Sequence, residues 1–285
     1  MINVALFGNT GLANGVFRAL LANENINLCG VFTRKLPGHF PYYDEEELWY
    51  VSEQNNIPTF TGINVNSDEA KTFLSEQNLD YIIVASFDQI IKKATRDIPR
   101  VKIINYHPSL LPKYRGPNPI SWAIINGETQ TGLSIHELTA KIDAGRVIYQ
   151  RPLAISKEDN LGSLYQKLSN LAEQMSAQLV KDITSDNLPE GWKQNEEDMT
   201  YYPKSLTFMN LQVEDSLEKT INRFRAFMPF PKTHIVLNNI NYRVEDLQIT
   251  ENSEPIEAEA VDKYHWMAGN KQIEVTLQKK MVPGK

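Results

Sequence analysis

Only one cysteine, Cys29, occurs in the 285 residues, which excludes a disulfide framework within the chain and suits a reducing, cytoplasmic compartment. It lies in the apolar run "INLCGVF", where a buried, inert thiol is expected rather than a nucleophile. Long hydrophobic runs are missing as well. None approaches the roughly 20 residues that span a bilayer, and the start "MINVALFGNTG" lacks the basic, uninterrupted apolar pattern of a secretion signal. No membrane partner is expected. Positive charge is also short: the net charge is −6 and the pI about 5.5, which argues against a nucleic-acid surface. The 5 histidines are scattered and no carboxylates cluster with ligand spacing, so no metal is expected. Neither internal repeats nor low-complexity tracts occur.

What is there is a globular composition. Hydrophobic residues make up 41%, enough for a core, and the length suits a large domain followed by a small one. "INVALF" reads as a buried strand, "GNTG" as a turn and "LANGVFRALLAN" as a helix. Further strands are expected at "INLCGVFTR", "IPTFTG", "LDYIIVAS" and "VKIINYHP", with helices at "DEEELWYVSEQNN" and at "SDEAKTFLSEQN", which opens on a serine N-cap. Strands that alternate with helices and stay apolar throughout indicate a doubly wound, mostly parallel α/β sheet covered on both faces. Leu164, Leu168, Leu171, Met175 and Leu179 recur at helical spacing and predict one long helix closing this domain, over residues 1–190. A polar stretch, "NLPEGWKQNEEDMTYYPK", then reads as a linker or an ordered crossing segment. Beyond it, "VEDSLEKTINRFRAF" predicts a helix, and "THIVLN", "INYRVEDLQI", "EAEAVDKY" and "QIEVTLQ" predict strands of a small, mostly β module over 205–285.

Three places carry polar groups that chemistry could use. The turn Gly8-Asn9-Thr10-Gly11 ends the first strand, where open α/β sheets place ligands, although a plain tight turn is the commoner meaning of such a pair of glycines. In "NYHP", extended backbone would point Asn105 and His107 the same way, and Pro108 ends the ladder behind them. That places a carboxamide donor beside an imidazole able to move a proton near neutral pH. The proline-rich stretch "SLLPKYRGPNP" that follows reads as an ordered loop beside this site. The third place is "GLSIHELTAKIDAGRVIYQ", two strands around a loop holding Asp143; spacing alone does not bring Asp143 or His136 to His107.

"NYHPSLLPKYRGPNPISWAIINGETQTGLSIHELTAKIDAGRVIYQ" resembles the signature of formyltransferases that use N10-formyltetrahydrofolate. That family includes methionyl-tRNA formyltransferase, glycinamide ribonucleotide formyltransferase and N-formyltransferases of nucleotide-linked amino sugars. The resemblance covers the α/β half well and reaches the C-terminal module through "RFRAFMPFPKTHIVLNNINYRV". It implies that Asn105, His107 and Asp143 form a catalytic triad, with His136 supporting Asp143 from behind. It implies a cis peptide before Pro112. The folate donor would sit by Ser86, Phe87, Asp88, Gln89, Ile90 and Ile91, and by the loop carrying Asp143. Substrate-binding candidates are Gly8, Asn9 and Thr10 in the first turn, and Ser109, Leu110, Tyr114, Arg115 and Gly116 in the loop after His107.

The tRNA-binding branch carries a basic loop after the second strand, whereas here "TRKLPGHFPYYDEEELWY" concentrates four consecutive acids, Asp44 to Glu47. Two readings stand: a field that repels phosphates near the acceptor entrance, or a solvated helix N-terminus favoured by the helix dipole. The implied acceptor is the amine of an amino sugar on a nucleotide, as in surface polysaccharide (lipopolysaccharide) synthesis, a reading to which "TYYPKSLTF" adds a resemblance to sugar-modifying relatives. Initiator methionyl-tRNA is the alternative. A non-catalytic folate- or nucleotide-binding regulator is a third reading, against which the intact Asn105, His107 and Asp143 argue. Tyr42, Tyr43, Trp49 and "FMPFP" suit either a core or an interface, the latter implying a homodimer through the C-terminal module.

Overall fold

The computed structural model describes residues 1–203, 209–229, 233–237, 240–250 and 263–279. Seven strands, β1 (Ile2–Gly8), β2 (Ile26–Thr33), β3 (Thr59–Thr61), β4 (Tyr81–Ala85), β5 (Lys102–His107), β6 (Gln130–Glu137) and β7 (Val147–Ala154), form one sheet in the order 3-2-1-4-5-6-7. The first five run parallel, and β6 and β7 join as antiparallel strands at one edge. The doubly wound, mostly parallel architecture expected from the apolar runs is the one observed.

Alternation along β1 divides the core between the two faces. Val4 and Leu6 join a cluster with Val16, Leu164, Leu168 and Met175, beneath helices α1 (Leu12–Leu21) and α6 (Leu161–Thr184). Ala5 and Phe7 face the other way, onto Phe32, Leu74 and Ile82, beneath α3 (Asp68–Glu76). Each fully buried leucine is worth roughly 1.5–3 kcal/mol over its exposed state. The N-caps follow the sequence: Ser67 accepts from the Ala70 amide, and Asn160 and Ser163 close a reciprocal box at the start of α6.

The segment "DEEELWYVSEQNN" departs from expectation. Helix α2 (Leu48–Gln54) starts only at Leu48, because the Thr10 hydroxyl accepts from the Leu48 amide and fixes the entry point. The four acids are therefore not its first turn. Glu45 pairs with Arg18 of α1 and Glu47 accepts from Thr10 in the turn before that helix, while Asp44 and Glu46 stay exposed. Tyr42 stacks on Tyr165 and Tyr43 meets Phe40 edge-on, so these rings pack within the chain.

Two further short helices, α4 (Lys93–Arg96) and α5 (Pro119–Ile125), flank β5 in sequence. The polar stretch after α6 is ordered: Trp192 bridges Val147 and Tyr201 bridges Arg115. Helix α7 (Leu217–Arg225) then joins two bodies. The Ala226 carbonyl at its end accepts from Ser121 of α5, and Arg225 donates to the Ser156 and Asp159 carbonyls. Its Leu217 and Phe224 pack on a second core around Ile235, Val244, Trp266 and Ile273. That core lies under an antiparallel sheet of β8 (His234–Leu237), β9 (Ile240–Thr250), β10 (Lys263–Ala268) and β11 (Lys271–Lys279), in the order 10-11-9-8. Phe227 of "FMPFP" is buried in the main core, while Phe230 and Pro231 lie outside the described residues. So do most of the expected strand "EAEAVDKY", of which only Lys263 and Tyr264 are described, and the greater part of "TYYPKSLTF". Among the described residues no helix is long and apolar enough to cross a membrane.

Candidate active site

Strand β5 ends at His107, and its pairing with β6 sets Asn105 directly opposite His136. Facing residues in an antiparallel pair share one side of the sheet, so the two side chains meet, with Asn105 Nδ2 3.1 Å from His136 Nε2. The β6–β7 ladder shifts register between Ile135 and His136, where Ile148 of β7 is the extra residue. His136 Nδ1 lies 2.8 Å from the Glu137 carbonyl, which can only accept, so Nδ1 carries the proton and Nε2 accepts from Asn105. This chain of donors assigns the Asn105 amide: its nitrogen faces His136.

His107 is 5% exposed, and its Nε2 lies 2.7 Å from the carbonyl of Tyr114. The loop returns there because Tyr114 adopts φ 59° after the cis Leu111–Pro112 bond, which matches the expectation for this peptide. By the same logic Nε2 carries the proton, leaving Nδ1 as the atom that can take one. Nδ1 faces Asp143 Oδ2 at 3.6 Å, and His136 Nε2 faces Asp143 Oδ1 at the same distance. Asp143, itself at φ 47°, accepts from the Gly116 amide at 2.9 Å. One carboxylate thus bridges two imidazoles from the loop between β6 and β7.

The electrostatics separate the roles. Burial works against the Asp143 carboxylate, but His107, His136 and the Gly116 amide more than offset it and hold its pKa below the usual range. Burial pushes His107 below the ordinary histidine value of 6.5, despite the opposing pull of Asp143 and the Tyr114 carbonyl. At neutral pH the pair is a carboxylate beside a neutral imidazole.

Gly145 makes this loop possible. A Cβ there would sit 1.9 Å from the Glu137 carbonyl oxygen, a backbone atom that cannot rotate away. Gly145→Ala is expected to cost about 1–3 kcal/mol of stability, read as a lower urea midpoint at unchanged slope, and to reduce activity with it.

The remaining candidates fall into two groups. Asn9 is buried, donates through Nδ2 to the Ser86 carbonyl, and leaves Oδ1 without a partner in the protein. Ser86 at φ 51° shares a hydrogen bond with Tyr165. Gln89 braces the Ser86–Ile91 loop through the Val65 amide and the Ile63 carbonyl, Phe87 and Ile91 join the core, Asp88 pairs with Arg34, and Ile90 is 81% exposed. Gly116 reaches the site through its amide.

Other candidates make contacts that build the loops. A Cβ on Gly8 would meet Ala13 at 2.4 Å, so that glycine serves close packing of α1 on the sheet. The Thr10 hydroxyl is taken by Leu48 and Glu47. Ser109 is 0% exposed and donates to the Lys113 carbonyl, and Leu110 packs against Gly132. The Tyr114 hydroxyl donates to Glu128. Arg115 is 2% exposed, with its guanidinium filled by Gln194 and Glu196. The hydrogen-bonding groups of the Thr10, Ser109, Tyr114 and Arg115 side chains are thus engaged within the protein.

Sequence reasoning missed Ser134 and Gln150, which pin the loop at Ser109 and Leu111. The signal for Ser134 was its place two residues before His136, on the same face of β6. Among the described residues no three His, Cys, Asp or Glu side chains are grouped as a metal ion would need.

Residues 43–180 match the formyl transferase family model. The methionyl-tRNA formyltransferase of Ehrlichia ruminantium (strain Welgevonden) is 30% identical over 245 residues, 85% of this chain and 79% of the relative. An N-formyltransferase from Helicobacter canadensis, solved with folinic acid and dTDP-3-aminofucose, shares the fold at TM-score 0.70 and 19% identity, over 98% of this chain and 100% of that one. Methionyl-tRNA formyltransferase from Clostridium thermocellum superposes at TM-score 0.64 and 13% identity, with the same coverage. On this relationship the chain belongs to the formyltransferase family, as an N-formyltransferase.

Proposed function

We propose that the chain transfers a formyl group from N10-formyltetrahydrofolate to the primary amine of an amino sugar carried on a nucleotide, with Asn105, His107 and Asp143 as the catalytic residues. The observation that carries the reading is the meeting of a carboxamide, a neutral imidazole and an ionised carboxylate where β5 ends. The amine nitrogen attacks the formyl carbon, the bond from that carbon to N10 breaks, and one proton passes from the amine to N10. No net acid or base is consumed. The Asn105 amide keeps one N–H on His136 and offers the other to the oxyanion of the tetrahedral intermediate. His107 Nδ1, beside Asp143, receives the amine proton and returns it to the leaving nitrogen.

The donor suits the loops after β4 and β6, which present exposed Ile90 and Ile142 (57% exposed) to the face of its ring system. On the acceptor side, Asn9 Oδ1 awaits a hydroxyl or amine donor. The charge after β2 favours a small acceptor over RNA. Arg34 is paired with Asp88 at 2.8 Å, Lys35 sits 3.9 Å over the Trp49 ring, and exposed Asp44 and Glu46 follow. Little cationic surface is left there for phosphates.

Methionyl-tRNA is the second reading, favoured by the 30% identity to a protein of that name. The two separate in one assay, with labelled formyl donor and either charged initiator tRNA or a panel of nucleotide-linked amino sugars. An amino sugar is expected to be formylated faster. Faster formylation of the tRNA than of every sugar overturns the proposed acceptor.

A further inference from the structure

A strap of polar chain beyond α6, outside residues 43–180, ties the two loops of the site together. Gln194 is its centre. Its Nε2 donates to the carbonyls of Asp143 and Gly145, both at 2.8 Å, and its Oε1 accepts from Arg115 Nε at 3.0 Å and Nη2 at 2.7 Å. Both amide hydrogens and both oxygen lone pairs are thereby used.

The partner loop is anchored at three successive residues. Tyr114 receives His107 through its carbonyl, Arg115 holds Gln194, and Gly116 donates to Asp143. The strap also runs beside this stretch: the Arg115 amide donates to the Thr200 carbonyl, and the Tyr114 amide to the Thr200 hydroxyl. Asp143 needs such support, because a non-glycine residue at φ 47° persists only where its surroundings over-determine it.

We infer that Gln194 is a positioning residue: by clamping the Asp143–Gly145 backbone to Arg115, it holds the Asp143 carboxylate at His107. The inference rests on the reading of Asn105, His107 and Asp143 given above. Its consequence is chemical as well as structural. Asp143 raises the proton affinity of His107 while His136 and Arg115, the other charged groups facing it, lower it, so a displaced Asp143 leaves His107 titrating at lower pH.

The test is Gln194→Met, which removes both donations and both acceptances without adding charge. Glu197→Gln serves as control, an exposed change on the same strap. Ring titration of His107 by NMR needs no acceptor, so it decides the inference even if the chain formylates none of the amines tried. His107 is expected to titrate lower in Gln194→Met and unchanged in Glu197→Gln. With an acceptor in hand, kcat is expected to fall about 10- to 100-fold with KM within about threefold, the cost of a small misplacement of reacting groups. If Gln194→Met fails to fold, Gln194→Glu keeps the acceptor oxygens for Arg115 and carries the kinetic arm. An unmoved His107 titration in folded Gln194→Met, or a kcat within about twofold of wild type in a folded variant, overturns the inference.

Discussion

Exchanging His107 for asparagine is expected to lower kcat by about 10²–10⁴, the usual contribution of a positioned acid–base group. The asparagine side chain is shorter: its amide lies near the place of Nδ1 and falls short of the Tyr114 carbonyl. The variant therefore also loses the bond that closes the loop, and its fold is checked by circular dichroism before rates are compared. Missing is Nδ1, the one atom at this position able to take and return a proton. In the wild-type protein His107 is held below 6.5, so kcat should be level at neutral pH and decline only at lower pH, as Nδ1 becomes protonated. The variant should lack that decline. Stability carries the same sign. A histidine kept neutral by burial binds fewer protons than the unfolded chain just below pH 6.5, so its contribution is full above that value and is lost as pH falls. His107→Asn should therefore lose less of its urea midpoint than wild type between pH 7 and pH 5.5. Equal rates for variant and wild type would remove His107 from the chemistry.

Asp143→Asn should be nearly as damaging, at about 10²–10³ in kcat, because it removes the charge that steadies a protonated His107. Shape is almost conserved, yet a misplaced amide nitrogen would oppose the Gly116 N–H that the carboxylate now accepts. Asp143 raises the proton affinity of His107, so its loss should move the acid decline of kcat to still lower pH. Asp143 has a depressed pKa, and its own contribution to stability is present above the unfolded carboxylate value near 3.8 and lost as pH falls further. The variant should thus lose less stability than wild type in strong acid. A drop in kcat with an unshifted pH profile would mean that the carboxylate acts apart from His107.

Much of this arrangement was legible in the residues. Alternation along β5 placed Asn105 and His107 together, and Pro108 marked the strand end. Continuous apolar runs identified the parallel sheet. Other features depend on partners far along the chain. Asp143 reaches His107 only because β6 returns antiparallel to β5 and the following loop turns through left-handed backbone onto the Gly116 amide. Arg115 was named as a substrate-binding candidate, and nothing near it in the sequence announced Gln194 and Glu196 as its partners. The acids Asp44 to Glu47 looked like a helix start by composition. Whether Glu45 and Glu47 turn inward is decided by Arg18 and Thr10 on a neighbouring element.

The central claim is that Asn105, His107 and Asp143 meet over one formyl carbon and hand it to a sugar amine. Donor labelled with ¹³C in its formyl group, mixed with protein and a nucleotide-linked amino sugar, reads this by NMR within a single turnover. The account predicts that the label appears as a sugar formamide with wild-type protein, and at least about a hundredfold more slowly with His107→Asn. Label released only as free formate, or transferred equally fast by the variant, would contradict it.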